Sequence, residues 1–285
     1  MTDHATDILQ RQRFEFGENW MRFLESVGAD QIALAQDALG DMLNMKTLLG
    51  KRFLDIGSGS GLSSLAARRL GAEVHSFDYD PRSVACTEEL KRRYMPGDPM
   101  WRIEAGSVLD HQYLGQLPKF DIVYSWGVLH HTGSLWSALA NAAALVDVGG
   151  TLFVALYNDN GRRSVVWKVI KRGYCNASRP LRLVLAVLAC MWLWGPTTLR
   201  DVRNGQPGKT WRSYGQLNGR GMSPWRDVVD WVGGYPFEVS KSDDVVRFCR
   251  NRGFELERCV PCIGGDGCNE FVFVRTPDVT PAVRE

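Results

Sequence analysis

The sequence predicts an α/β protein: an open, mostly parallel sheet sandwiched by helices, with further elements before and after it. Three observations lead there. Between residues 50 and 160, apolar runs that end in acidic or polar residues alternate with helix-like stretches. The first run, Phe53-Leu54-Asp55-Ile56, feeds glycines at alternate positions, Gly57, Gly59 and Gly61, and a helix-like stretch begins at Leu62. Two more apolar runs, around Phe254–Val260 and Glu270–Arg275, close the chain's last part. Strands alternating with helical patterns imply parallel β-α-β units.

The elements follow in order. Residues 61–70 read as the first helix, opened by the glycine turn. Glycine lacks a Cβ, so its backbone takes unusual φ values and allows a ligand to lie against it. A helix start adds N–H groups suited to polar ligand atoms. Glu73-Val74-His75-Ser76-Phe77-Asp78-Tyr79-Asp80-Pro81 reads as a second strand ending in acids. Asp78 lies about 20 residues beyond the glycines, where an acid at a strand end accepts ribose hydroxyls. Pro81 suits the first turn of the next helix, over 82–94. The run from Trp101 to Asp110 reads as a third strand and its exit loop, and Phe120 to His131 as a fourth strand and its loop. An Ala- and Leu-rich helix over 134–145 precedes a fifth strand that ends at Tyr157-Asn158. A helix over 243–252, stopped by Gly253, leads into the final strand pair.

The glycine spacing separates two classes of cofactor. A dinucleotide fingerprint places glycines first, third and sixth, whereas here the sixth position is Leu62 and the third glycine comes one residue early. With Asp55 two residues before Gly57, this stretch resembles motif I of the class I S-adenosylmethionine (SAM)-dependent methyltransferases. The four strand-and-loop segments that follow match the same family in order, strongly over residues 50–160. The resemblance implies a Rossmann-like, seven-stranded, mostly parallel sheet whose last strand is antiparallel. It implies SAM as cofactor, with Asp55, Gly57, Ser58, Gly59, Gly61, Asp78, Tyr79, Ser107, Val108 and Trp126 as the binding set. It also implies methyl transfer. Because SAM carries a good leaving group, the protein mainly positions the acceptor and excludes water. A base is needed only where the nucleophile loses a proton, a task suited to histidine. His130 and His131 are the candidates for it, with Tyr157 at the end of the fifth strand as a further catalytic candidate. The histidines equally suit a role in shaping the cofactor pocket.

Two regions lie outside that core. Residues 7–47 look helical and carry Phe14, Phe16 and Trp20, so they either fold over the cofactor as a lid or pack on the core. The second region is the insert from 161 to 240. Between Arg162 and Arg226 it holds thirteen Lys or Arg and one acid, Asp201, a formal +12 in a chain whose total is +2. Such asymmetry creates a local positive field that attracts anions. Six of the ten tryptophans also fall in the insert. Within it, residues 181–194 are almost wholly apolar, too short alone to span a bilayer. They suit a core helix, a homodimer surface or a membrane-interfacial segment.

Downstream, Ser223-Pro224 reads as a helix start, and Gly233-Gly234-Tyr235-Pro236 as a turn presenting Tyr235 and Glu238. This stretch resembles a segment of bacterial quinol-methylase-like methyltransferases. Trp20, Asn158, Arg220, Tyr235 and Glu238 are the candidate acceptor contacts. The organisation expected is a helical lid (1–48), a SAM-binding core (49–160), a basic aromatic-rich cap (161–240) and a closing helix and strand pair (241–285).

Composition agrees with an ordinary soluble protein, 45% hydrophobic and 23% charged. The N-terminus is polar and charged, which reads as no signal peptide. Seven scattered cysteines suit a reducing cytoplasm better than a disulfide framework. Cys249, Cys259, Cys262 and Cys268 lack a paired metal-knuckle spacing, so no metal is expected. The acceptor expected is a small, or lipid- or glycan-linked, compound, anionic in character and methylated at oxygen, with peripheral membrane contact as a possibility. An RNA methyltransferase that holds phosphates on the basic insert is the alternative enzyme. A non-catalytic SAM-binding protein is the alternative outside enzymes.

Overall fold

The computed structural model describes residues 14, 16–24, 27–217, 224–262, 265 and 267–277. Among them, seven strands form one sheet: β1 (Arg52–Ile56), β2 (Glu73–Asp78), β3 (Trp101–Ala105), β4 (Phe120–Trp126), β5 (Val146–Tyr157), β6 (Phe254–Val260) and β7 (Cys268–Arg275). Their order is β3-β2-β1-β4-β5-β7-β6. The pairs β1·β2, β1·β4, β2·β3 and β4·β5 are parallel, and β7 runs antiparallel to both β5 and β6. The expected α/β sheet with an antiparallel last strand is therefore the architecture observed. The order reverses between β1 and β4, and open α/β sheets bind ligands at such a switch point.

Helices α1 (Phe16–Phe23), α2 (Ala29–Leu43), α3 (Leu62–Arg69) and α4 (Pro81–Tyr94) belong to one face. Phe53, Val74, Ile122 and Phe153 point into that layer with Leu65 and Leu90. The one-turn helix α5 (His111–Leu114), helix α6 (Leu135–Ala144) and helix α11 (Ser242–Arg250) cover the other face, over Leu54, Val123, Leu152 and Phe273. Alternate residues of one strand thus supply two cores, as the two-residue strand period requires. Helix α4 starts where Pro81 suggested, with Asp80 as its N-cap accepting from Arg82 N. Helix α11 ends at Arg250, short of Gly253, whose positive φ of 79° lies in the turn into β6.

The insert folds as α7 (Arg162–Asn176), α8 (Arg179–Arg203), α9 (Lys209–Leu217) and α10 (Pro224–Gly233). A third apolar cluster holds them together, built on Trp167, Ala186, Ala189, Val228, Val232 and Phe237. The apolar run 181–194 is the middle of a 25-residue helix that continues through Pro196. Among the described residues, α8 is the one helix long and apolar enough, by length and composition, to cross a membrane. The core-helix expectation for this run is corrected: Leu181, Leu183, Val184, Leu188 and Met191 are exposed, while Ala186 and Ala189, with half-buried Leu185, Cys190, Leu193 and Trp194, pack on the cap's cluster. Asp201, the lone acid counted in the insert, is buried and caps α9 by accepting from Thr210 N and Oγ1 at 2.8 and 2.9 Å.

The insert rejoins the core beside the point where it leaves. Asn158 bridges Ser240, Ser240 N donates to the Tyr157 carbonyl at 3.0 Å, and Asp159 N donates to the Ser240 carbonyl at 3.1 Å.

Candidate functional site

One cleft of about 1440 Å³ opens at the carboxyl ends of β1, β2 and β4 and runs under the cap. Its floor is the turn after β1, where Gly57, Gly59 and Gly61 all have positive φ (77°, 54° and 79°). Each glycine also makes room for a neighbour. A Cβ on Gly57 would lie 2.4 Å from Val128 Cγ1, one on Gly59 3.1 Å from the Trp20 indole, and one on Gly61 2.9 Å from Thr87 Cγ2. The turn's donors are mostly committed inside the protein. Gly57 N and Ser58 N donate to the Phe77 carbonyl, Gly61 N to the Ser58 carbonyl, and Gly59 N to Asp78 Oδ2 at 2.9 Å. These four N–H groups are therefore spent within the fold.

The loops after β2 and β3 are well fixed. Asp78 accepts from Asp80 N as well as Gly59 N, so its carboxylate is clamped between the two turns. Gly106 N donates to the Asp78 carbonyl at 3.0 Å, and Asn141 of α6 donates to the Val108 carbonyl at 2.8 Å. Asp55, Gly57, Ser58, Gly59, Asp78, Tyr79, Ser107, Val108 and Trp126 all line the cleft; Gly61 does not, since it packs on α4. Asp55 is buried and accepts from Ser64 Oγ at 2.5 Å. Trp101 Nε1 donates to Ser76 Oγ, and Ser76 and Ser64 share a hydrogen bond of 2.6 Å. Read as a relay, every proton points toward the Asp55 carboxylate. Burial nevertheless dominates and, with the nearby Asp78 charge, pushes Asp55 up to about 7 against the pull of the Ser64 hydrogen bond.

The group a methyltransferase-type site would take is a nucleoside with a charged amino-acid tail. The residues fit it. The carboxylate of Asp78 stands at a strand end, the Ser107–Val108 loop lies beside it, and Gly127 has a positive φ with nothing within 4 Å of its Cβ position. Helix α1 lies over this end, held where Gly17 N donates to Asp80 Oδ2 at 2.9 Å, with the Trp20 indole against Gly59.

The two histidines differ sharply. His130 is fully buried and does not line the cleft. Its Nδ1 accepts from Tyr157 N at 3.2 Å, which places the proton on Nε2, an atom buried with no hydrogen-bond partner. Burial, helped by His131 and Lys171, holds its pKa well below the ordinary histidine value. His131 lines the cleft, and its Nδ1 donates to the Pro236 carbonyl at 2.6 Å. That leaves Nε2 as the acceptor nitrogen of the neutral ring. Phe16 and Tyr157 pack on it with ring centroids 4.9 and 5.4 Å away.

Tyr157 lines the cleft inside an aromatic cluster with His130, Trp231 and Phe237. Lys171, wholly buried, sits 3.9 Å over the Trp231 ring and donates to the Trp231 carbonyl. Of the acceptor candidates, Trp20 lines the cleft, whereas Asn158, Tyr235 and Glu238 do not. Asn158 Oδ1 accepts from Asn269 Nδ2, Tyr235 gives its carbonyl to Phe14 N, and Glu238 Oε2 accepts from Leu135 N at the start of α6. Arg220 lies outside the described residues.

The cap's wall of the cleft carries residues that sequence reasoning missed: Leu193, Trp194, Tyr214, Asp227 and Asp230. The two acids sit three apart on α10, just beyond the window in which the basic residues were counted; that i, i+3 spacing was the available signal. Trp126 Nε1 donates to Glu270 Oε1 at 3.0 Å, which brings β7 to the cleft as well. Among the described residues no group of three or more His, Cys, Asp or Glu is placed to hold a metal ion.

Residues 54–152 match the methyltransferase-domain family. The chain is 30% identical over 118 residues to a ubiquinone biosynthesis O-methyltransferase of Rhodopseudomonas palustris, covering 41% of this chain and 44% of that protein. It is 28% identical over 169 residues to the enzyme of the same name from Methylocella silvestris, covering 51% and 62%. In these matches the chain spans about half the length of the curated relatives. Among solved structures it is similar in fold to magnesium protoporphyrin IX methyltransferase from Synechocystis PCC 6803 with bound S-adenosylhomocysteine. The TM-score is 0.55 at 14% identity, over 91% of this chain and 94% of that one.

Proposed function

Since this chain belongs to the class I SAM-dependent methyltransferases, we propose that it transfers a methyl group to the hydroxyl of an amphiphilic small molecule held between the glycine turn and the cap. The observation that carries this is His131. It stands in the one cleft that joins the nucleoside end to an aromatic cap wall, and its Nδ1 is anchored on Pro236.

Bound SAM would supply an electrophilic methyl group on a sulfonium whose thioether departs. The chain's own residues do the rest. Asp78 and the Ser107–Val108 loop hold the nucleoside, with Asp55 and the glycine turn beneath. Helix α1 excludes water above it through Trp20. His131 Nε2 takes the acceptor's hydroxyl proton, and the Pro236 carbonyl steadies the imidazolium that forms. His130 holds the backbone of Tyr157 and does not take part. O-methylation accords with the names of the curated relatives.

The cap wall favours an aromatic or lipid-tailed hydroxyl compound over an anion. Trp194, Tyr214 and Trp231 line it with Asp227 and Asp230 and, among the described residues, a single arginine, Arg163, while most of the cap's other basic side chains face outward. An acidic, aromatic wall is poorly suited to a phosphate backbone, which argues against RNA as the acceptor. Lipid-linked acceptors also agree with a protein working beside a membrane.

Calorimetric titration with S-adenosylhomocysteine, with NADH as control, tests the cofactor half. A methyl-transfer assay with short-tailed and long-tailed hydroquinones tests the acceptor half. Binding of the homocysteine nucleoside alone and turnover that rises with tail length are expected. A folded sample that binds neither nucleotide would overturn the reading.

A further inference from the structure

The cap leaves apolar side chains exposed on two helices whose inner sides share one cluster. On α7, Val165, Val166 and Val169 are exposed, Val169 at 68%. On α8, Leu181, Val184, Leu188 and Met191 recur every three or four residues and form one exposed stripe, with Trp192 beside it at 72% exposure. Basic residues stand at both ends of that helix, Arg179 at its start and Arg200 and Arg203 in its last turn, and exposed Arg172 lies on α7. Every exposed charged side chain between residues 162 and 214 is Lys or Arg, because the only acid there, Asp201, is buried capping α9.

An apolar face of this extent on a water-exposed helix pair marks an interaction surface. The charge decides what covers it. A second copy of the same face would bring like charges together. An anionic lipid surface offers acyl chains to the stripe and negative headgroups to its flanks. The opposite side of α8 is held in the cap's own core through Ala186 and Ala189, against Val228 and Val232. The helix therefore lies along such a surface; crossing it would require breaking the cap apart. We propose that the α7–α8 face docks in the plane of an anionic lipid bilayer, with the stripe from Leu181 to Met191 and Trp192 seated among the acyl chains.

The face and the cleft meet on one turn of α8: Met191 and Trp192 are exposed, while Leu193 and Trp194 line the cleft. Docking brings the cleft's cap end to the lipid surface, so a lipid-tailed acceptor passes from bilayer to His131 along Leu193 and Trp194. This route rests on the acceptor reading above; the docking does not.

The test is flotation of the full chain with vesicles of equimolar phosphatidylglycerol and phosphatidylcholine, against phosphatidylcholine alone. We expect binding to the anionic vesicles that weakens with added salt. Leu188→Asp with Met191→Asp should weaken it by about tenfold or more through loss of apolar insertion. Arg200→Glu with Arg203→Glu should weaken it on anionic vesicles only. Acyl-chain bromine should quench part of the tryptophan emission, and Trp192→Phe should remove that part. Circular dichroism and S-adenosylhomocysteine titration without vesicles should match the parent chain for every variant. Failure of the folded parent to float would overturn the docking. So would flotation indifferent to the Leu188 and Met191 changes, or a dimer in sedimentation equilibrium that those changes dissociate. Vesicle binding in a protein that binds no S-adenosylhomocysteine would uphold the docking and overturn the methyl-transfer reading alone.

Discussion

His131 Nδ1 donates to the carbonyl oxygen of Pro236 at 2.6 Å, a bond that spans 105 residues and joins the loop after β4 to the end of the cap. It fixes which ring nitrogen carries the proton and which receives one. His131→Ala should therefore lower kcat by about 10²–10⁴-fold, the usual contribution of a general base. Affinity for S-adenosylhomocysteine should hold within about twofold, since the proposed nucleoside contacts are Asp78 and the Ser107–Val108 loop. Steady-state kinetics beside calorimetry reads both; unaltered kcat would remove His131 from the chemistry.

His130 and Asp55 should give opposite slopes of stability against pH. Folded His130 stays neutral, while the unfolded chain takes up its proton below the ordinary value of 6.5. Its stabilisation is complete above that pH and is lost as pH falls toward the folded ring's lower pKa. The loss is at most about 1.4 kcal/mol per pH unit. Asp55 is raised from 3.8 to about 7, so its stabilisation is complete at low pH and is lost as pH rises through about 7. Urea unfolding between about pH 4 and 8 should show a fall in stability from about pH 4 to 7 that Asp55→Asn removes, and an opposing rise with pH below 6.5 that His130→Asn removes.

Gly57→Ala should cost about 1–3 kcal/mol from its positive φ alone, plus the clash with Val128. In Gly57→Ala with Val128→Ala the clash disappears and the φ penalty stays. A double-mutant cycle should show a favourable coupling, and additive changes would mean that Val128 yields freely.

Asp78→Ala should weaken S-adenosylhomocysteine binding by about tenfold or more, as loss of a charged hydrogen-bond partner does. It also frees Gly59 N, so Asp78→Asn, which keeps an acceptor, separates turn support from ligand contact. Unchanged affinity in both would take the nucleoside away from β2.

The readable part of the molecule is the part governed by short-range rules. Asp55, Asp78, Ser107 and Trp126 could be placed at strand ends because each strand announces itself by a few apolar residues and a following turn. Glu238 could not be placed. Its carboxylate serves Leu135 N and its own N–H serves the His130 carbonyl, contacts made only when the cap closes on the core. Tyr235 and Asn158 fall outside the cleft lining for the same reason, since an aromatic or amide after a turn reads alike whether it meets ligand or protein. The length of α8 was hidden by Gly195-Pro196, which punctuates a sequence more strongly than it interrupts this helix. Its exposure was hidden too, because periodicity reports an apolar face without saying what lies against it.

Asn158 and Ser240 pair at the neck where the cap departs and returns, so about eighty residues leave the core and rejoin it at one place. Replacing such an appendage would leave the order of the sheet undisturbed. The carbonyl that orients His131 would leave with it. Any lineage that traded this appendage for another would have to re-establish proton transfer at the moment it acquired a new acceptor. Under the proposed mechanism, substrate choice and base chemistry would be one heritable unit, although the histidine is encoded in the domain that stays behind.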